Sequence, residues 1–483
     1  MVNEIEQVRS ATAPLAPDDA KMVRELLQVW LDTSQRNALR SGYYNMRQRV
    51  KDLGISVPPN LRNLEQSIGW PKKAVESLAA RSQFDGYVCD DEEASATLQR
   101  VVEECGLKRK YRKLVRSELM HCCSFLTVTD ASEDGQPPRA RISAYPATAA
   151  TAIWDYAANR IKCGMVVADM RKIAGQDRAT RVHVFTDTDV IILRMGRSGK
   201  WSAEYRPHGM GRCLMEPLAY DASLERPFGR SRISRAVMSI TDDAVRASRR
   251  SEIAAEFLTS PQKYLLGADK DAIGNMSKWD AYIGSIFAVS KGKDGDVPQF
   301  GQLSQGTLQP HVDYMRSLAA RFSAETNVPL SELGIVSDNP SSAEAIYAAK
   351  ESMVVDAQNL NADNAEALRD VALMALAVEQ GTTFAEQQER GYALQARFRN
   401  PAMPSVVSQA DAMLKIVQAV PWFSESDVLL EELGFSDDQI QRLRSDRAKA
   451  ASRQLVAQYA GGLGIASDPA NAAKEAVADD IGR

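Results

Sequence analysis

The sequence predicts an α+β protein, and two observations carry that prediction. Over residues 308–378, apolar side chains recur at the three-and-four spacing of helices with one buried stripe. Over residues 124–219 the period drops to two, and Gly, Asp, Asn and Pro separate short alternating runs, the pattern of an antiparallel meander.

In the helical half, Leu308, Val312, Met315, Ala319 and Phe322 form the first stripe. Asn327-Val328-Pro329 ends that helix, because the residue before a proline is pushed out of the α region. Residues 330–340 (LSELGIVSDNP) follow as a loop, with turn chemistry in Gly334 and Asp338-Asn339-Pro340. Ser341 and Glu344 are spaced as a capping box. The second stripe reads Ile346, Ala349, Met353, Ala357, Leu360, Asn364, Leu368, Val371, Met374 and Val378. At 1.5 Å per residue this helix is roughly 55 Å long. A rod of that length is expected to need something outside its own domain to lie against, which points to assembly.

Length and composition set the outer bounds. The 483 residues suit two to four structural regions. Lys and Arg number 59 against 63 Asp and Glu, a net charge of −4, so no global basic field advertises a nucleic-acid gripper. A protein that lets DNA slide past needs no such field. The six cysteines form no CxxC and suggest neither a disulfide framework nor a zinc site, in keeping with a reducing compartment. No stretch reads as a signal peptide, and no apolar run approaches the ~20 residues of a membrane span, so no membrane partner is expected.

Taken in order, residues 1–20 carry Pro14 and Pro17 and little periodicity, and are expected as an arm. Residues 21–44 read as a helix with Val23, Leu26, Leu27, Trp30, Leu31 and Leu39 on one side. Short helices are expected at 61–67 and 74–81, a strand at 84–88, and one helix over 92–120. Lys108, Arg109, Lys110, Arg112, Lys113 and Arg116 make the end of that helix basic, either as a phosphate or partner contact or, more simply, as a solvated face with ion pairs. Strands are expected at 125–128, 139–144, 161–167, 181–185, 190–194 and 201–205.

Within that meander Gly196-Arg197-Ser198-Gly199-Lys200 lacks the full phosphate-loop spacing and opens no helix. Asp187-Thr188-Asp189 falls where a hairpin must turn, and His183 and His208 lack a triad partner or ligand spacing. Residues 234–259 then form a helix, with Asp242, Asp243, Arg246, Arg249 and Arg250 mixing both signs on its polar side. A small mixed α/β insert at 260–307, with a strand at 264–267, is held between this helix and the one from Leu308. A strand at 393–398 and capping-box-like starts at Ser424/Asp427 and Ser436/Gln439 complete the C-terminal helical part. The sequence offers no nucleophile elbow, no zinc spacing and four histidines, so no catalytic, cofactor or metal site is expected.

Several strings, in this order, resemble one family. They are Tyr43-Tyr44 with KDLGISVPP at 51–59, Ile68-Gly69-Trp70-Pro71, Phe228-Gly229-Arg230-Ser231-Arg232, and Pro261-Gln262 with 264–267. Leu308-Gln309-Pro310-His311, Glu325-Thr326-Asn327-Val328-Pro329 and DNPSSAEAI at 338–346 continue the series. Together they are similar to the portal (head-to-tail connector) proteins of tailed bacteriophages, most closely the siphophage family of actinobacteriophage type. The likeness spans roughly residues 43–447.

The resemblance implies a portal fold and a ring of twelve copies at one capsid vertex, with double-stranded DNA passing along its axis. Beyond the arm at 1–20, it implies a wing at 21–233, stem helices at 234–259 and 308–328, and a clip at 260–307. A tunnel loop at 329–340, a long helix at 341–380, a wing return strand within 381–403, a helical crown at 404–460 and a flexible tail at 461–483 complete it. The tunnel loop would present Leu330, Ser331, Glu332, Leu333, Gly334, Asp338 and Asn339. Asp242, Asp243, Arg246, Arg249, Arg250, Arg316 and Arg321 would be intersubunit or channel-wall groups. In the clip, Lys270, Trp279, Tyr282, Lys291, Lys293 and Asp294 would meet the terminase large subunit and then the head-completion adaptor. The major capsid protein and scaffold are further implied partners, with assembly in the host bacterial cytoplasm. The competing expectation is another virion component, an adaptor or scaffold-like helical protein without a DNA channel.

Overall fold

Pro17 in the first turn, with Asp18 and Asp19 beside it, starts the first helix, α1 (Pro17–Tyr44), inside the arm expected over 1–20. The computed structural model describes residues 10–50, 66–132, 136–173, 175–259, 263–266, 299–302, 306–335, 343–402, 406–433, 435 and 437–462. The next helix, α2 (Trp70–Ala79), likewise begins on its proline, ahead of the expected start at Ala74. Most of the helix expected at 61–67 lies outside the described residues; Gln66 and Ser67 are not helical. After β1 (Phe84–Val88), the single helix expected over 92–120 is two, α3 (Glu92–Cys105) and α4 (Leu107–His121). Gly106 separates them with φ 59°, the left-handed turn that ends α3.

The alternating region holds β2 (Cys123–Asp130), β3 (Ala140–Pro146), β4 (Ala150–Asp155) and β5 (Arg160–Ile173). It continues with β6 (Gln176–Phe185), β7 (Asp189–Met195), β8 (Trp201–Pro207) and β9 (Met215–Ala219). These make two sheets, β3-β2-β9 and β4-β5-β6-β7-β8, which corrects the single meander expected over 124–219. The expectation missed β4 because ATAIWD is rich in alanine, a weak strand former, and missed β9 because Pro217 interrupts its pattern.

Two helices follow as a pair, α5 (Arg235–Thr259) and α6 (Gln309–Thr326). Ser234 bonds Glu325 at one end, and Gly306 lies against Leu258 at the other, so the pair is antiparallel. Between them in sequence, β10 (Lys263–Leu266) pairs antiparallel with β11 (Gln299–Gln302), a partner strand that periodicity did not mark. A 3-10 turn at Leu330–Leu333 leads on, and the long helix is α7 (Ala343–Gln380). The capping box expected at Ser341 lies outside the described residues. Thr383 and Glu386 form a reciprocal capping box on the short α8 (Phe384–Glu389). Finally β12 (Gln395–Phe398) returns to pair antiparallel with β1.

Packing explains the long helix. Met353, Ala357, Leu360, Asn364 and Leu368 are buried along one stripe, and every residue from Val371 to Val378 is buried. A helix apolar all round belongs in a core. This one lies on β2, β3, β9 and β12 and on α2, α3 and α8 of its own chain. The expectation that it needs another subunit to cover it is therefore corrected. Side chains 123–128 of β2 are all buried, because the strand is central in its sheet and packs against both α4 and α7. The five-stranded sheet has its own second core, in which Val23, Leu26, Leu27 and Trp30 of α1 meet Met165, Val182, Val184, Ile191 and Leu193. In contrast, Val312 and Tyr314 in the first half of α6 are 43% and 46% exposed, so only the second half of the expected Leu308 stripe is buried.

Residues 402–483 form a separate unit. It contains α9 (Val406–Ala419), a 3-10 turn at Pro421–Glu425, α10 (Asp427–Glu432) and α11 (Asp437–Gly462). Ser424 does not cap α10: its hydroxyl donates back to Pro421 O, and Ser426 accepts from Val428 N instead. Gly434 and Ser436 lie outside the described residues, as do residues 463–483.

Candidate functional site

The strings at 68–71, 228–232 and 325–329, far apart in sequence, converge where the helix pair meets the sheets. Gly229 makes the turn with φ 69°, and a Cβ there would sit 2.1 Å from Tyr220 O, so glycine is required. Phe228 packs edge-on against Phe125 and Trp154, seating the turn on β2 and β4. The Ser231 hydroxyl donates to Met120 O at 2.6 Å and accepts from Ile233 N at 3.0 Å.

Arg232 is the hub. It is 7% exposed, and its guanidinium reaches four separate parts of the chain. Nε donates to Ala74 O of α2 at 2.9 Å. Nη1 donates to the Tyr220 hydroxyl at 2.7 Å and pairs with Asp356 of α7 at 3.4 Å. Nη2 donates to Thr326 O, in the last turn of α6, where a cation also meets the negative end of the helix dipole. Asn327 ends α6 in the left-handed region, with φ 54°, and its side-chain amide donates to the same Asp356 at 3.0 Å. Trp70, at the start of α2, packs on Phe322 with ring centroids 5.3 Å apart. Every nitrogen of the Arg232 guanidinium has a partner within the chain, so this is a structural joint rather than a ligand site.

A second tie fixes the 3-10 turn after α6. Glu332 accepts from Ser77 Oγ at 3.0 Å and pairs with Lys73 at 3.1 Å and Arg81 at 3.4 Å, all three on or just past α2. Burial on its own would raise the Glu332 carboxyl, but Lys73, Ser77 and Arg81 together hold it below the usual range. Of the other residues expected in this loop, Leu330 and Ser331 are exposed, Leu333 is half-buried, and Gly334 turns the chain with φ 84°. Asp338 and Asn339 lie outside the described residues.

The charged groups expected on the helix pair are placed as follows. Asp242 accepts from the Tyr43 hydroxyl at 3.0 Å, tying α5 to α1, and Asp243 pairs with Arg246 one turn along. Arg249 and Arg250 are half-buried on α5, while Arg316 and Arg321 are exposed on α6. Arg316 borders an open cavity of about 510 Å³ with Glu252, His311, Met315 and Gly334. Lys270, Trp279, Tyr282, Lys291, Lys293 and Asp294 lie outside the described residues. The basic face of α4 is partly spent inside the chain: Lys108 pairs with Asp85, Arg116 with Glu76, and Lys110 donates to Ile142 O. Among the described residues no group of His, Cys, Asp and Glu is arranged to hold a metal ion, and no helix is long and apolar enough to cross a membrane.

The residues that sequence reasoning missed are the hub itself and its acceptors: Arg232, Tyr220, Asp356, and the Lys73-Ser77-Arg81 row. The available signal was an arginine next to Ile233, at the end of the string Phe228-Gly229-Arg230-Ser231-Arg232.

No family model matches the chain. It aligns with the portal protein of Mycobacterium phage L5 at 26% identity over 423 residues, covering 84% of each chain. It aligns with the portal protein of Mycobacterium phage D29 at 24% identity over 458 residues, covering 91% of this chain and 92% of that one. The chain is similar to mycobacteriophage portal proteins along most of its length. Among solved structures, the neck of a native gene transfer agent particle computed with C12 symmetry overlaps at a TM-score of 0.43 and 13% identity. That overlap covers 79% of this chain and 95% of the other. The portal relatives match in sequence along most of their length, which a shared local motif would not give.

Proposed function

We propose that this chain is the portal subunit of a tailed-phage particle: twelve copies close into a ring at one capsid vertex, and double-stranded DNA passes through it during packaging and ejection. The observation that carries this reading is the match to two portal proteins over more than four-fifths of the chain. In this reading α5 and α6 are the stem, residues 260–307 the clip that receives the terminase and later the adaptor, and residues 329–340 the loop facing the channel. The Arg232 joint would transmit load between stem and wing. Residues 329–340 contain no Lys or Arg, and Glu332 is turned onto α2, which suits a passage for a moving polyanion. Each phosphate neutralised there would add affinity and act as a brake. A ring of identical copies needs a heterologous interface that closes, and the half-exposed Val312 and Tyr314 on α6 are surfaces available for it.

The test is complementation in the phage that encodes the chain. Particles assembled without it are expected to stay empty of DNA and to fill again when it is supplied in trans. Particles that package normally without it would overturn the proposal.

A further inference from the structure

The five-stranded sheet carries a charged groove that a DNA channel built on the helix pair does not use. The β5–β6 hairpin and the β7–β8 turn enclose a cavity of about 460 Å³. Arg171, Lys172, Arg178, Arg181, Arg194 and Arg197 line it, with Asp169 as the one carboxylate among the lining residues. The register places Arg171 directly opposite Arg178 and Arg181 directly opposite Arg194. Like charges across a strand pair destabilise a sheet unless something answers them.

The chain answers them in part. Asp169 pairs with Arg171 at 3.4 Å and stands opposite Arg181 in the register, and Glu204 takes Arg194 at 3.1 Å. Among the described side chains, two carboxylates, one of them shared with Arg206, thus answer six cations, in a chain whose net charge is negative. Arg178 Nε is buried without a hydrogen-bond partner. The local field reaches neighbouring groups as well. His183 is pushed down to about 4, first by burial and then by the guanidinium groups of Arg181, Arg194 and Arg206.

We infer that this groove binds the phosphate backbone of double-stranded DNA. Guanidinium forks match phosphate oxygens two at a time, and five of the six cations are arginines. Met195 is the only apolar side chain of any size among the described lining residues, which offer no buried anchor on which a protein partner docks. Nor is there, among the described lining residues, an aromatic ring on which the bases of a single strand would stack. What remains is recognition by charge and spacing, which a duplex backbone supplies. The site lies on β5, β6 and β7, apart from the helix pair, and does not depend on the ring being formed.

The experiment is a fluorescence-anisotropy titration of the full chain with a short random duplex between roughly 50 and 200 mM salt. With two cations removed, R181Q/R197Q is expected to flatten the slope of log affinity against log salt by about 1.8. R181K/R197K keeps both charges and is expected to keep the slope, which separates phosphate binding from damage to the sheet. An unchanged slope in R181Q/R197Q would overturn the inference. So would displacement of the duplex by a glutamate-rich peptide at equal charge concentration, which would mark the groove as a site for an acidic protein. A chain that forms no rings yet shows the expected slope change would sink the portal reading and leave this one standing.

Discussion

The guanidinium of Arg232 donates to the carbonyl oxygen of Thr326, joining the segment that leads into α5 to the last turn of α6. That contact makes the two ends of the helix pair meet at one buried cation, shared with Ala74, Tyr220 and Asp356. Replacing Arg232 by Met leaves Asp356 half-buried beside Asn327 alone and two carbonyls without their donor. Breaking a buried pair from one side costs about 3–5 kcal/mol. Urea unfolding of Arg232→Met is expected to show a loss of that order, with Arg232→Lys recovering little of it because an ammonium cannot span the same acceptors. A loss under about 1 kcal/mol would remove Arg232 from its role.

Gly229 and Gly211 both sit in the left-handed region, with φ 69° and 67°, but their surroundings differ. A Cβ at Gly211 meets nothing within 4 Å, whereas one at Gly229 collides with the Tyr220 carbonyl. Gly211→Ala is expected to cost about 1 kcal/mol of backbone strain. Gly229→Ala must move the turn that positions Arg232, and soluble yield is expected to collapse. Equal yields for the two variants would contradict this.

Glu118 is a buried carboxyl with neutral partners: Asn364 of α7 donates to it at 3.0 Å, and Tyr111 of α4 shares the same amide. Burial pushes it up to about 8, the Asn364 bond opposes that, and Asp363 adds to it. The unfolded chain ionises this group near 4.3, while the folded chain keeps it protonated to about 8. Stability therefore falls as pH rises through that window. Glu118→Gln removes the dependence, and at pH 8 is expected to exceed the parent by on the order of 1–3 kcal/mol. Parallel stability–pH curves for the two proteins would refute the assignment.

The sign is opposite at Glu332. Its carboxyl is held below the usual range, so its contribution is present above the unfolded value near 4.3 and disappears as pH drops through the folded value. Glu332→Gln is expected to lose about 0.5–1 kcal/mol at neutral pH and nothing in acid. Hydrogen exchange read at Leu330–Leu333 should quicken at neutral pH in the variant and match the parent in acid. Unaltered exchange at neutral pH would show the turn is held by other contacts.

Much of the fold was legible because its helices announce themselves. The stripe from Met353 to Val378 is buried as its spacing requires, and α5 and α6 fall within a residue or two of their expected bounds. What the stripe could not say is what covers it, since the sheets of the same chain do so through contacts with no sequence period. The two-sheet arrangement was hidden for a related reason: β9 pairs with β2 across some 90 residues, and nothing local in MEPLA marks it as a strand. The joint was half legible. The strings around Gly229 and Asn327 stood out as strings, but their meeting at Arg232 is a long-range fact that only three dimensions supply.

Assembly of the chain around a central passage is the property a portal subunit must show. A cryo-electron microscopy reconstruction of the purified full-length chain is the direct measurement. It is expected to yield closed rings of about twelve times the 53.1 kDa chain, with α5 and α6 around a central hole wide enough for duplex DNA. A uniform population of monomers, or rings whose centre is filled by protein, would contradict it.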